Sequence, residues 1–176
     1  KNLSALIAAF AKFSSSNPEF KLVIAGSVGW KAARDLSMSE KLGIPDKVVF
    51  VGRVTQAVLS ALYQGAALYV QPSWTEGFGL PVLEAMASSV PTIVSDGGAL
   101  PEVVGQAALV VQLGNDQSSI TNNQTIGFEE RLAESMAKVL GDQKLQKRLI
   151  VAGRQRVMQL SWERAANETL DFITRG

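Results

Sequence analysis

The chain has 176 residues, 47% of them apolar, and its 17 Lys and Arg stand against 16 Asp and Glu for a formal net charge of +1. That length supports one domain with a true core, the charge offers no basic footprint for nucleic acid, and the longest apolar run, residues 5–11, falls far short of the ~20 residues of a membrane span. With neither cysteine nor histidine, disulfides, thiolate nucleophiles, zinc-finger sites and an imidazole base of its own are excluded.

Chemistry here must use carboxylates, lysine, arginine, hydroxyls or backbone amides. The start lacks a charged segment leading into a single apolar block, so no secretory signal is read there. The absence of cysteine fits a reducing compartment, and the expected location is the cytoplasm, with any parent protein at most peripheral at a membrane. Asn-x-Ser/Thr triplets at Asn2, Asn123 and Asn167 are short enough to arise by chance and carry no weight.

Leu3, Leu6, Ile7, Phe10 and Phe13 recur at helical spacing until Asn17-Pro18 stops them. "FKLVIAG" (20–26) is predicted as a buried strand, residues 31–42 as a helix closed by Gly43 and Pro45, and "KVVFVG" (47–52) as a second strand. A helix over 56–65, a strand "ALYVQP" (67–72), a short helix over 81–88 and a strand "TIVS" (92–95) follow. A helical turn near 101–104 and a last strand "ALVV" (108–111) complete the alternation. Solidly apolar strands separated by helices predict a doubly wound parallel α/β sheet covered on both faces.

Residues 112–127 are polar and aperiodic and are predicted as a surface loop. Three extra C-terminal helices then close a single domain spanning 1–176. Phe128, Leu132, Met136, Val139 and Leu140 stripe the first. Asp142 is the expected N-cap of the second, over 144–160, and the third starts at Ser161 with Glu163 in its first turn. Trp162 is expected to be a packing anchor.

"EGFGLPVLE" (76–84) holds two carboxylates around two glycines and a proline. It lies just after the third strand, on the side where such sheets bind ligands. Gly77 and Gly79 let backbone approach a bound group, and Pro81 suits a first helical turn. The amides of residues 78–82 would then point out of a helix N-terminus, suited to phosphate, and Glu84 one turn in could accept from a vicinal diol. Two hydroxyl acceptors flanking an anion nest match the polarity of a nucleoside diphosphate sugar. The plainer alternative is a glycine-rich loop whose acid serves only the helix dipole.

"PSWTEGFGLPVLEAMASSVPTIVSDGGALPEVVGQAALVV" (72–111) resembles the donor-binding half of the retaining GT-B glycosyltransferases of group 1. That family's signature, two glutamates with seven residues between, is met by Glu76 and Glu84. "KN" at Lys1 and Asn2, "LVIAG", "VVFVGRV" and "SWERAANETL" extend the likeness over nearly the whole chain. The resemblance implies a Rossmann-like half of a GT-B fold and transfer of a sugar from a nucleoside diphosphate sugar with retention. Glu76 would hold hydroxyls of the transferred sugar, positioning rather than attacking it, and Glu84 the ribose. Lys1 would neutralise the diphosphate; the amides of Gly77, Phe78, Gly79 and Leu80 would face sugar and diphosphate; Arg53 and Val54 would border the base.

No metal and no cofactor is expected, since lysine, arginine and a helix N-terminus take the neutralising role. The resemblance also implies an arginine on a loop ahead of Lys1, a first strand, and an N-terminal acceptor domain, so the fragment alone is expected to be inactive. Two departures matter. Serine stands at position 89, where the family has glycine, and is strained if left-handed. Trp74 is expected to pack at a domain edge rather than stack on sugar. A UDP-sugar epimerase of similar fold and a non-catalytic nucleotide-binding module are the alternatives; a dinucleotide oxidoreductase lacks its glycine motif.

Overall fold

The computed structural model describes residues 1–26, 32–114, 120–121 and 124–175; for 32–36, 120–121, 124–125 and 162 it describes the backbone alone. The predicted start of the second helix at residue 31 and the triplet at Asn123 lie outside the described residues, as does the side chain of Trp162.

The predicted alternation is present. Helix α1 (Leu3–Ser16) leads to β1 (Leu22–Ala25), α2 (Ala32–Lys41) and β2 (Val48–Gly52). Then come α3 (Gln56–Gly65), β3 (Tyr69–Gln71), α4 (Leu80–Ala87), β4 (Thr92–Ser95), α5 (Leu100–Val104) and β5 (Leu109–Val111). All of these strands pair in parallel, β1 with β2 and β3 with β4 with β5. The architecture is the expected α/β one with parallel strands, but they fall into two groups instead of one unbroken ladder. Between β1 and β3 lies a cavity of about 1200 Å³, lined by Leu22, Ile24, Val70, Phe10, Phe13 and Met136 among others.

The stripe on α1 buries Leu6, Ile7, Phe10 and Phe13. It packs on α6 (Phe128–Gly141), which buries Phe128, Leu132, Met136 and Val139. Each such side chain contributes ~1.5–3 kcal/mol when fully removed from water, so this helix pair is the main core. α7 (Gln143–Gln159) is capped as predicted, with Asp142 accepting from Lys144 N–H at 2.9 Å and Leu145 N–H at 3.0 Å. Ser161 caps α8 (Trp162–Thr174) by accepting from Arg164 N–H at 3.2 Å.

The loop expected over 112–127 needs correction. Inside it β6 (Ile120–Thr121) pairs antiparallel with β7 (Gln124–Thr125). Two β-branched residues before a pair of asparagines carry the hairpin signal, too short to register against the polar background. No described helix is long and apolar enough to cross a membrane.

Ser89 sits at φ 64°, so the left-handed ending of α4 is real and carried by a residue with a Cβ. Arg154 Nε donates to its Oγ at 2.7 Å. Replacing Ser89 by Gly or by Ala removes that contact equally, but only alanine keeps the steric conflict. We expect Ser89→Gly to be more stable than Ser89→Ala by about 1 kcal/mol. Urea midpoints of the two variants test this, and coincident midpoints would contradict it.

Candidate functional site

The segment between β3 and α4 leaves the sheet at its carboxyl end. Its backbone is pinned by the turn after β4. A Cβ on Gly97 would overlap the carbonyl oxygens of Ser73 and Trp74, and one on Gly98 would overlap the backbone of Glu76. Glycine alone permits that approach. Ala99 N–H then donates to the Glu76 carbonyl at 2.9 Å, and the buried Ser95 Oγ to the Ser73 carbonyl at 2.5 Å. Sequence reasoning gave these glycines no role; "DGG" directly after a strand was the available signal.

Glu76 is the centre of the arrangement, its side chain only 17% exposed. Lys1 Nζ donates to Oε1 at 2.8 Å and to Oε2 at 2.7 Å, and Gln71 Nε2 donates to Oε2 at 3.0 Å. Partial burial pushes the carboxyl pKa up. Hydrogen bonds from Lys1 and Ser73, the Lys1 charge and the Gln71 amide outweigh that push, so the carboxyl titrates below its ordinary value.

Glu84 accepts from the Tyr63 hydroxyl at 3.1 Å. Burial first, then the Glu84 charge and this hydrogen bond, push the tyrosine pKa up, which keeps it a donor across the working pH range. The cavity between the strand groups reaches this site, since Lys1, Asn2, Ser73, Trp74, Pro81 and Glu84 all line it. Asn2 begins α1 in the left-handed region at φ 58°. Its Nδ2 is buried with no hydrogen-bond partner among the described residues.

The structure thus brings Lys1, Glu76 and Glu84 into one neighbourhood, Glu76 joining the cavity through Lys1 rather than lining it. Gly77, Phe78, Gly79 and Leu80 stand outside the lining, with Phe78 and Leu80 exposed to solvent. Arg53 and Val54, just after β2, also stand outside it. The row of open amides differs from the expected 78–82. Val82 N–H is taken by the Gly79 carbonyl at 2.9 Å, and proline has none to give. The amides of Gly77, Phe78, Gly79 and Leu80 remain unbonded among the described residues. Trp74 is 59% exposed and lines the cavity beside Ser73.

A family profile described as "Glycosyl transferases group 1" matches residues 1–156. The chain belongs to that family. O-antigen chain mannosyltransferase B of Escherichia coli is 30% identical over 172 residues, which cover 97% of this chain and 42% of the relative. Sucrose-phosphate synthase from Thermosynechococcus elongatus superimposes with a TM-score of 0.80 at 28% identity, over 99% of this chain and 42% of that one. Anabaena HepE, solved with UDP and glucose, superimposes with a TM-score of 0.77 at 18% identity, over all of this chain and 45% of that one. The chain therefore spans less than half the length of these proteins.

The pairing of Lys1 with Glu76 has a pH signature. The Glu76 pKa is depressed in the folded state, so its contribution to stability is present above the unfolded value and is lost as pH falls through the folded one. We expect Lys1→Met to raise the Glu76 carboxyl titration seen by carbon-13 NMR. The urea-stability gap between wild type and variant should narrow from about pH 6 to about pH 3, across the carboxylate range. A gap that widens toward acid would refute the assignment.

Proposed function

We propose that this chain is the donor-binding domain of a glycosyltransferase that moves a sugar from a nucleoside diphosphate sugar to an acceptor with retention of anomeric configuration. The observation that carries the proposal is the two-pronged contact of Lys1 with Glu76, beside Glu84, at the carboxyl end of the parallel strands. On this reading Glu76 positions hydroxyls of the transferred sugar and Glu84 holds the ribose. Lys1 meets the charge of the departing diphosphate, helped by the amides of Gly77, Phe78, Gly79 and Leu80. Arg53 and Val54 border the base. The barrier is charge separation as the diphosphate leaves, and fixed positive groups at the leaving oxygens lower it most.

Support comes from several sides. A carboxylate held ionised is a strong acceptor for sugar hydroxyls. Lys1 has three donor hydrogens and spends two on Glu76, so one is left for an anion. The unpartnered Asn2 amide offers another donor on the same cavity. The likenesses to known proteins point the same way: a mannosyltransferase among the relatives, and UDP with glucose in a structural neighbour. We assign the leaving-group charge to Lys1 and backbone amides rather than to a metal, and turnover that survives chelation with EDTA is the matching expectation.

The proposal extends to the longer protein. One further parallel strand between β1 and β3, ahead of Lys1, and an acceptor domain beyond it would complete the enzyme. The facing edges of β1 and β3 pair with no other described strand, and the space between them is mostly apolar, as a buried strand requires. The 176 residues alone then bind donor poorly and transfer nothing.

The two acids should fail differently in the longer enzyme. Glu84→Ala removes charged hydrogen bonds to nucleotide and should weaken UDP, GDP or ADP binding, whichever the enzyme takes, by about 10- to 100-fold in calorimetry. Glu76→Ala should leave nucleotide affinity near wild type and lower kcat by on the order of 10²-fold. Unchanged nucleotide affinity in Glu84→Ala would sink the ribose role.

A further inference from the structure

Strand β3 reads as apolar, yet its last residue is a glutamine whose side chain is 6% exposed. A buried amide without partners is costly, and every polar atom of this one is engaged. Nε2 donates to Glu76 Oε2 at 3.0 Å and to the fully buried Ser73 Oγ at 3.3 Å. Oε1 accepts from the Tyr69 hydroxyl.

The direction of these bonds is forced. An ionised carboxylate only accepts, so the amide must turn its NH2 toward Glu76, which places its oxygen against Tyr69. The tyrosine must therefore donate. The opposite amide orientation would set carbonyl oxygen against carboxylate oxygen. Tyr69 keeps its proton because burial, followed by the charges around it, pushes its pKa up. Its ring is held by Tyr63, edge-on, with centroids 5.7 Å apart at 68°.

We propose that Gln71 is the positioning residue of Glu76, and that the Tyr69 hydroxyl locks its amide in the one orientation that serves a carboxylate. Lys1 and Gln71 together fill the lone pairs of Oε2. Oε1 accepts from Lys1, and that position opens to a substrate hydroxyl when the lysine leaves it. The lysine, 61% exposed, can swing toward an anion. Gln71 cannot, and it holds the carboxylate in place while Lys1 moves. The value of this for turnover rests on the sugar-positioning role proposed above for Glu76.

Two measurements separate the claims. In the 176-residue chain, carbon-13 titration of Glu76 should move upward in Gln71→Met, which keeps the volume and removes both amide groups. Tyr69→Phe should move it in the same direction by less, and should add nothing in the Gln71→Met background. A Glu76 titration unmoved by Gln71→Met, or by Tyr69→Phe should the first variant fail to fold, overturns the proposal. In the longer enzyme, Gln71→Met should lower kcat by roughly ten- to a hundredfold and leave nucleotide affinity intact. A titration that moves while kcat stays at wild type upholds the positioning of Glu76 and overturns its sugar role instead.

Discussion

Everything at the site depends on one close passage of backbone past backbone. The turn after β4 runs against the segment after β3 so tightly that no side chain fits at Gly97 or Gly98. Because β3 and β4 are themselves paired, Tyr69 with Thr92 through Gln71 with Val94, the passage transfers the rigidity of the ladder to Glu76. Its carbonyl is bonded to Ala99 N–H. A residue placed this way is located by two strands rather than by a free loop, which is what a positioning carboxylate needs. The buried Ser95 hydroxyl ties the end of β4 to the segment after β3 by donating to the Ser73 carbonyl. The buried Ser73 hydroxyl accepts from Gln71 within that segment, where the low dielectric makes satisfied polar groups effective.

Electrostatic weight falls on Lys1 more than on the helix end. α4 begins with leucine and proline, so its first turn contributes few N–H groups. The left-handed Gly79 and the residues before it supply the rest. At an exposed helix terminus the dipole is worth only ~0.3–1 kcal/mol. A lysine already drawn to the site by an acid needs no long search for an arriving anion, and on the proposed reading it exchanges one anionic partner for another. Glu76 tolerates the exchange because Gln71 and Ser73 remain.

The order and type of the elements were legible, because apolar runs ending in glycine and helices of ten residues are strong signals. Asp142 acted as the cap its side chain suggested, and the last helix starts where expected, after Ser161. Lys1, Glu76 and Glu84 were legible through spacing and family likeness together. What stayed hidden was relational. Nothing in "YVQP" distinguishes a glutamine facing solvent from one buried against an acid five positions further along, since a strand's periodicity gives the face but not the neighbour. The open amides shifted from 78–82 to 77–80 because a carbonyl of the loop itself, at Gly79, captured Val82 N–H. The β6–β7 hairpin escaped because two-residue strands carry too little pattern.

The division of the parallel strands bears on what the site can do by itself. Tyr63, Tyr69, Gln71 and Glu84 form one wall of the same cavity that separates β1 from β3. α8 adds a second uncovered surface, with Leu170, Phe172 and Ile173 all more than half exposed. Exposed apolar side chains grouped in this way offer a surface on which further chain can pack, and the relatives are more than twice as long as this chain. On the proposed reading, a strand seated between β1 and β3 would close the wall behind the two tyrosines. It would remove water from their hydroxyls and strengthen the hydrogen bonds that hold both acids. The completeness of the sheet and the alignment of the carboxylates are then one property.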